Sequence, residues 1–323
     1  MNTESYFKLW FLVCSMQFLT ACAPESSTKE VKIALNPWPG YEFLFLAQEK
    51  GFFQKHGLDI KLIEMSSLAD VQRIYVQGRA DGMASTLIEV VQAAGQSKDN
   101  ISVLLISDYS NGGDAIITSE DRKSISELKG KRIGTEIGSL GMYLLALALE
   151  KEQLALTDVD IINVEQLSIE QSITQGEVDA VVTYPPFSLS ILKHPGYHQI
   201  FDSSMIPASI IDTISIRTST LKQLPSNWKQ RFYAAWDEAL EFSFINPNEA
   251  FQIMADQEGI SSEEFVETLK GLRLFKSKDS NKALQLKHTR ATLSKVCDTL
   301  KHAGTINAEC EKIVSLVKLT HNY

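Results

Sequence analysis

The sequence predicts a two-lobed α/β protein, and three observations carry that reading. Short apolar strands alternate with helical segments from Val31 to Phe187, the pattern of α/β folds. The alternation runs twice, the second pass opening at Lys131. Both passes also share their punctuation. Gly78-Arg79-Ala80-Asp81-Gly82-Met83-Ala84-Ser85 and Gly176-Glu177-Val178-Asp179-Ala180-Val181-Val182-Thr183 each read Gly, two residues, Asp, three residues, Ser or Thr.

In the first pass, Val31 to Leu35 is a short apolar strand and Phe43 to Lys50 a helix ended by Gly51. Leu58 to Met65 alternates as a strand. Leu68 to Gln77 is helical, Asp81 to Ser85 a strand, Leu87 to Ala94 a helix and Ile101 to Ser107 a strand. The second pass repeats this with strands at Lys131–Thr135, Val159–Val164 and Val178–Thr183. Its helices run over Leu140–Glu150 and Ile169–Gln175. From Leu221 onward the pattern is mostly helical, with helices at Trp228–Phe244, Glu263–Leu269 and Leu284–Leu300.

The N-terminus reads as an export signal. Lys8 precedes an apolar run from Leu9 to Leu19, too short for the ~20 residues that span a bilayer. Leu19-Thr20-Ala21-Cys22 resembles the bacterial lipobox, which implies cleavage before Cys22 and lipidation of its thiol. The expected organisation is a signal peptide over 1–21 and a tether over 22–30. One lobe then comprises 31–112 with 212–323, and the other 113–211. The expected location is the periplasm, anchored to a membrane through Cys22. Cys297 and Cys310 would form a disulfide in that oxidising compartment, two free thiols being the alternative.

A net charge of −9 and the lack of any basic cluster argue against a nucleic-acid partner. In open α/β sheets, ligands bind beyond the carboxyl ends of strands, near helix N-termini. The first strand is followed there by Asn36, Trp38, Tyr41 and Glu42 on a loop stiffened by Pro37 and Pro39. Ser85 and Thr86 close the third strand at a helix start, where their hydroxyls serve either as caps or as ligand contacts. Asp108 and Asp114 bound a loop that crosses between the lobes, and it should face the Trp38–Tyr41 loop across the cleft. Glu136 and Ser139 open a helix whose free N–H groups suit an anionic group, Thr183 and Tyr184 end a strand, and Asp212 is a further acid on this side. These loops hold no Lys or Arg, so their acids suit an amine or amidine-like group.

Enzyme signatures are weak. Ser139 lacks the upstream glycine of a nucleophile elbow, and Gly138 with Gly141 makes no dinucleotide or phosphate-loop fingerprint. His194 and His198 are separated by Pro195 and Gly196 and cannot form a helical metal pair. No catalytic residue, metal or cofactor is therefore expected.

The run Val31 to Tyr41, with Leu46-Ala47-Gln48-Glu49-Lys50-Gly51-Phe52-Phe53, resembles the start of a group of transporter periplasmic-binding proteins. This is the nitrate, sulfonate, taurine and thiamine-precursor group, also called NMT1/THI5-like. Gly78–Ser85, Leu128–Gly134 and Gly176–Phe187 resemble that group's later landmarks. The resemblance implies a type II periplasmic-binding-protein fold with a small-molecule ligand between the lobes. It also implies an ABC permease as partner and a monomeric chain. The ligand it implies is a small zwitterion, a sulfonate or a nitrogen heterocycle. Alternative roles are a periplasmic sensor for a membrane receptor, or a pyrimidine-synthesis enzyme. The fungal synthase branch uses a cysteine-rich motif, and no cysteine lies between Cys22 and Cys297 here.

Overall fold

The computed structural model describes residues 29–319; the signal segment, Cys22 and nearly all of the tether lie outside the described residues. The chain first builds β1 (Val31–Leu35), α1 (Glu42–Glu49), α2 (Phe52–Lys55), β2 (Ile60–Glu64), α3 (Leu68–Val76), β3 (Gly82–Thr86), α4 (Leu87–Gln96) and β4 (Ile101–Ser110). It then crosses to a second sheet and builds β5 (Ala115–Ser119), β6 (Arg132–Thr135), α5 (Leu140–Lys151), β7 (Asp160–Asn163), α6 (Ile169–Thr174), β8 (Ala180–Thr183), α7 (Phe187–Leu192) and β9 (Tyr197–Asp202). It returns through β10 (Ile211–Arg217), α8 (Thr218–Leu221), α9 (Trp228–Ile245), α10 (Pro247–Glu258), α11 (Ser262–Leu269) and β11 (Leu272–Leu274). The chain closes with α12 (Ser277–Gln285), α13 (Lys287–His302), α14 (Cys310–Leu316) and β12 (Val317–Leu319).

Two mixed sheets result. The larger runs β11-β4-β10-β3-β1-β2, with β12 also on β4; the smaller runs β7-β6-β8-β5-β9. We call the bodies built on them lobe 1 and lobe 2. Apolar faces explain the packing. β4 is buried along its whole length, and α9 buries Trp228, Phe232 and Trp236 at helical spacing. Trp228 and Phe232, one turn apart, stack at 5.5 Å. Helix ends obey local chemistry: Gly259 takes φ 69° to stop α10, and Ser67 and Thr86 cap α3 and α4.

The chain crosses between the sheets twice, after β4 and after β9, and the two crossings are tied together. The Ser110 and Ser203 hydroxyls lie 2.7 Å apart, and the Gly112 N–H donates to Ser203 Oγ at 2.7 Å. The Ser203 N–H donates to the Asp114 carbonyl at 2.9 Å. Cys297, on α13, and Cys310, opening α14, are joined by a disulfide with Cα atoms 5.7 Å apart.

Several elements differ from expectation. Asp108 is not in a loop: β4 continues through Ser110, because β10 and β11 pair its polar end on both sides. The helix expected at Leu284–Leu300 is two, broken at Leu286, whose ψ of 141° is extended. There the Thr289 hydroxyl takes the Ala283 carbonyl at 2.6 Å, satisfying it outside the helical ladder. The region beyond Asp108 also holds strands β5, β9, β10, β11 and β12 that the apolar pattern left unassigned.

Candidate functional site

The site forms where the ends of several strands meet between the sheets. In lobe 1, antiparallel β10 lies between β3 and β4. Asp212 therefore sits opposite Thr86 on one side and Asp108 on the other. Two carboxylates are thus cross-strand neighbours, an arrangement that costs stability unless they are partnered. The loop after β1 supplies partners. The Trp38 indole N–H donates to both Asp108 oxygens, at 3.3 and 3.4 Å, and the Tyr41 hydroxyl donates to Asp212 Oδ1 at 2.5 Å. Two glycines allow this closeness. A Cβ on Gly40 would stand 2.1 Å from Asp108 Oδ2, and one on Gly113 2.6 Å from the Trp38 ring.

Lobe 2 meets this surface with Tyr184, whose ring stands edge-on to Trp38 at 6.1 Å. The Asn36 side-chain amide donates to the Tyr184 hydroxyl at 3.4 Å. Two glutamates also bridge the lobes. Glu136 of lobe 2 accepts from Ser67 Oγ at 2.7 Å. Glu89 of lobe 1 accepts from Ser139 Oγ at 3.1 Å and from the Leu140 N–H at 2.9 Å. Gly141 lets α5 begin here, since a Cβ would lie 2.0 Å from Thr135 Oγ1.

Asn36, Trp38, Tyr41, Thr86, Asp114, Tyr184 and Asp212 line one cavity with Leu68 and Leu140. Its volume is about 10 Å³, room for roughly one water. The lobes are therefore closed on one another. Unpaired polar atoms belong to its lining residues: both Asp114 oxygens, Asp212 Oδ2 and Asn36 Oδ1 are buried without a hydrogen-bond partner. No lysine or arginine lines the cavity. Burial pushes the Asp114 carboxyl up to about 7, helped by the charges of Asp108 and Glu89. Burial also raises Asp212 well above the carboxylate range, with Asp108 and Asp114 adding to it. Asp108 is raised by burial too, against the donors Ser107 and Trp38.

Other residues singled out in the sequence lie apart from this cavity. The Ser85 hydroxyl donates to the Thr86 carbonyl, and the Thr183 hydroxyl to Gln166 Oε1 at 2.9 Å. The Glu42 carboxyl is raised by burial and then by the neighbouring Glu258 and Glu64 charges, outside the cavity wall. Trp38 and Asp108, expected to face each other across the cleft, sit side by side on lobe 1, because β1 and β4 belong to one sheet. Glu89 and Ser67 were not among the sequence-named residues. Thr86-x-x-Glu89 is a helix-start signature; it accounts for Glu89 as a capping residue and gives no sign of its reach across the cleft. No cluster of three metal-ligating side chains occurs among the described residues.

A family model described as NMT1/THI5 like matches residues 38–250. A putative binding protein of Brucella abortus is 27% identical over 220 residues, 67% of each chain. A formylaminopyrimidine-binding protein of Halalkalibacterium halodurans is 23% identical over 264 residues, 77% of this chain and 78% of its own. Among solved structures, the periplasmic aliphatic sulphonate binding protein of Escherichia coli matches with a TM-score of 0.74 at 15% identity, covering 86% of this chain and 94% of its own. The fold is that of periplasmic binding proteins.

Proposed function

The chain belongs to the NMT1/THI5-like family, and from that premise we propose that it captures a small, flat, cationic nitrogen compound for an ABC importer. One observation carries the ligand class. Buried acceptors without partners, Asp114, Asp212 Oδ2 and Asn36 Oδ1, converge beside Trp38 and Tyr184 in a cavity without a basic residue. Leaving such groups unpaired costs about 1–3 kcal/mol each, so a ligand that donates hydrogen bonds recovers that energy on binding. A protonated aminopyrimidine or amidine has that character, with a planar face for Trp38. The name of the Halalkalibacterium relative supports the heterocycle. A sulfonate or carboxylate would meet the Asp114 and Asp212 carboxyls here with no lysine or arginine to pair it. Calorimetry of the mature protein tests this with 4-amino-2-methylpyrimidines, acetamidine and benzamidine against taurine and methanesulfonate. Tight binding of methanesulfonate with no response to any nitrogen base would end the proposal.

Cys22 in its lipobox-like setting would anchor the protein to a membrane. We expect Cys22→Ala to move the protein from the membrane fraction into the soluble periplasm as a monomer. An unchanged distribution in fractionated cells would rule out that anchor.

A further inference from the structure

The helix N-termini that face the cleft carry unpaired backbone donors and the positive end of the helix dipole, which attract anions. In this chain two such ends are already filled, each by a glutamate of the opposite lobe. The Glu89 carboxylate is fully buried. Within lobe 1 its Oε2 accepts from the Thr86 N–H at 3.1 Å and the Thr86 hydroxyl at 2.6 Å. Across the cleft its Oε1 accepts from Ser139 Oγ at 3.1 Å and from the Leu140 N–H, the first amide of α5, at 2.9 Å. Two of these four donors are backbone N–H groups, which only an acceptor satisfies. The arrangement is reciprocated. Glu136 of lobe 2 accepts from the Ser67 hydroxyl at the start of α3 in lobe 1 at 2.7 Å; burial raises its carboxyl, against the Ser67 hydroxyl and the Ala69 N–H.

We propose that Glu89 and Glu136 are built-in anions: each crosses the cleft to cap a helix of the other lobe, latching the lobes shut and barring anionic ligands. The proposal rests on the reading of the cleft as a ligand site, and it adds the residues that set its polarity. With the start of α5 occupied by Glu89, an incoming sulfonate or carboxylate finds no free donor there and meets a fixed negative charge. A cation meets no such obstacle. The latch also ties closure to the protein's own groups, so closing requires no anion from the ligand.

The test needs no natural ligand. Full-length mature protein is studied by small-angle scattering and by thermal shift, with formate and methanesulfonate as probes and sodium chloride at matched ionic strength as control. Wild type should scatter as the closed form and show no saturable response to either anion. Glu89→Ala should scatter as a more open form. It should bind formate or methanesulfonate at least about tenfold tighter than wild type, the worth of one charge-assisted hydrogen bond. Formate should also restore the closed profile. Adding Leu140→Pro, which removes the α5 amide at a position where helices accept proline, should abolish that gain. Glu89→Gln preserves side-chain volume should the alanine variant fold poorly. Its amide oxygen can still accept from Ser139 and Leu140, so it should keep the closed profile and gain no anion binding. A closed profile with no anion response from Glu89→Ala, or anion binding gained by Glu89→Gln, would overturn the proposal. The cationic-ligand reading is judged separately, by calorimetry of the wild type.

Discussion

The two lobes share a scaffold and differ in the chemistry at its ends. In lobe 1, β2-β1-β3 run parallel and β10 returns antiparallel between β3 and β4. In lobe 2, β7-β6-β8 run parallel and β5 returns antiparallel between β8 and β9. The repeated aspartates do the same work. The Asp81 N–H donates to the Lys32 carbonyl at 2.8 Å, and the Lys32 N–H donates back to Asp81 Oδ2 at 3.0 Å. Asp179 and Arg132 exchange the same two bonds at 2.8 and 2.9 Å. The strand ends then diverge. Lobe 1 presents Asp108, Asp212 and Glu89, whereas lobe 2 presents Thr135, Ser139, Tyr184 and the start of α5. Different side chains at matched places thus give a near-symmetric scaffold an asymmetric cleft, with Asp108, Asp212 and Glu89 on lobe 1 and only Asp114 and Glu136 as acids on lobe 2.

The largest expected effect comes from titrating the acidic wall. Asp114, pushed up to about 7 by burial, and the raised Asp108 and Asp212 hold protons in the closed, ligand-free protein that the unfolded chain would release near its ordinary carboxylate range. The folded values lie above the unfolded ones. Their contribution to stability is therefore full below the unfolded carboxylate range and is lost as pH rises through about 7. The melting temperature of the ligand-free protein should fall between about pH 5 and 8. Binding of an amidine, which stays protonated throughout, should strengthen over the same interval because each acid must lose its proton to pair. One titrating group implies ~100-fold between about pH 5 and 7, levelling above that. Paired calorimetry and melting curves check both slopes. An amidine affinity flat across this range would show that the acidic wall is not where the charge is met.

Much of the scaffold was legible because the central strands are buried on both faces and read as apolar runs. The repeated Gly-x-x-Asp marked β3 and β8 correctly. β5 and β10 were not legible. They are short, follow polar crossings, and take their place only by pairing with strands distant in sequence. Asp108, Tyr109 and Ser110 looked like a loop by composition, yet they are strand residues held by β10 and β11. Within the cavity, Trp38, Tyr41, Asp114 and Tyr184 were readable from the strands they follow, whereas Asp212 was named only as an acid, because its strand β10 was not legible. Glu89 was not, since its local signature explains it fully as a helix cap, and its second role depends on a contact 50 and 51 residues away.

The smallest effect tests whether the two scaffolds are energetically as well as geometrically alike. Asp81→Ala orphans the Lys32 N–H and the Thr220 hydroxyl, which donates to Asp81 Oδ1 at 3.1 Å. Asp179→Ala orphans the Arg132 N–H and also removes the Arg132 Nε contact at 3.1 Å. Two ion pairs are lost with it, and both should matter little: the Arg132 side chain is 44% exposed and can turn to water, and Arg122 stands 3.6 Å from Asp179 Oδ1, beyond hydrogen-bond reach. Each variant should therefore lose about 1–2 kcal/mol in urea unfolding, and the two losses should agree within about 0.5 kcal/mol. Acid sharpens the comparison. Burial raises the Asp179 carboxyl, but the Arg132 bonds outweigh it and leave the net value lowered. Its contribution is thus present above the ordinary aspartate range and is lost as pH falls below it, so the gap between Asp179→Ala and wild type should close there. An Asp179→Ala loss exceeding that of Asp81→Ala by more than about 1 kcal/mol at neutral pH would mean that lobe 2 depends on an ion pair for which lobe 1 has no counterpart.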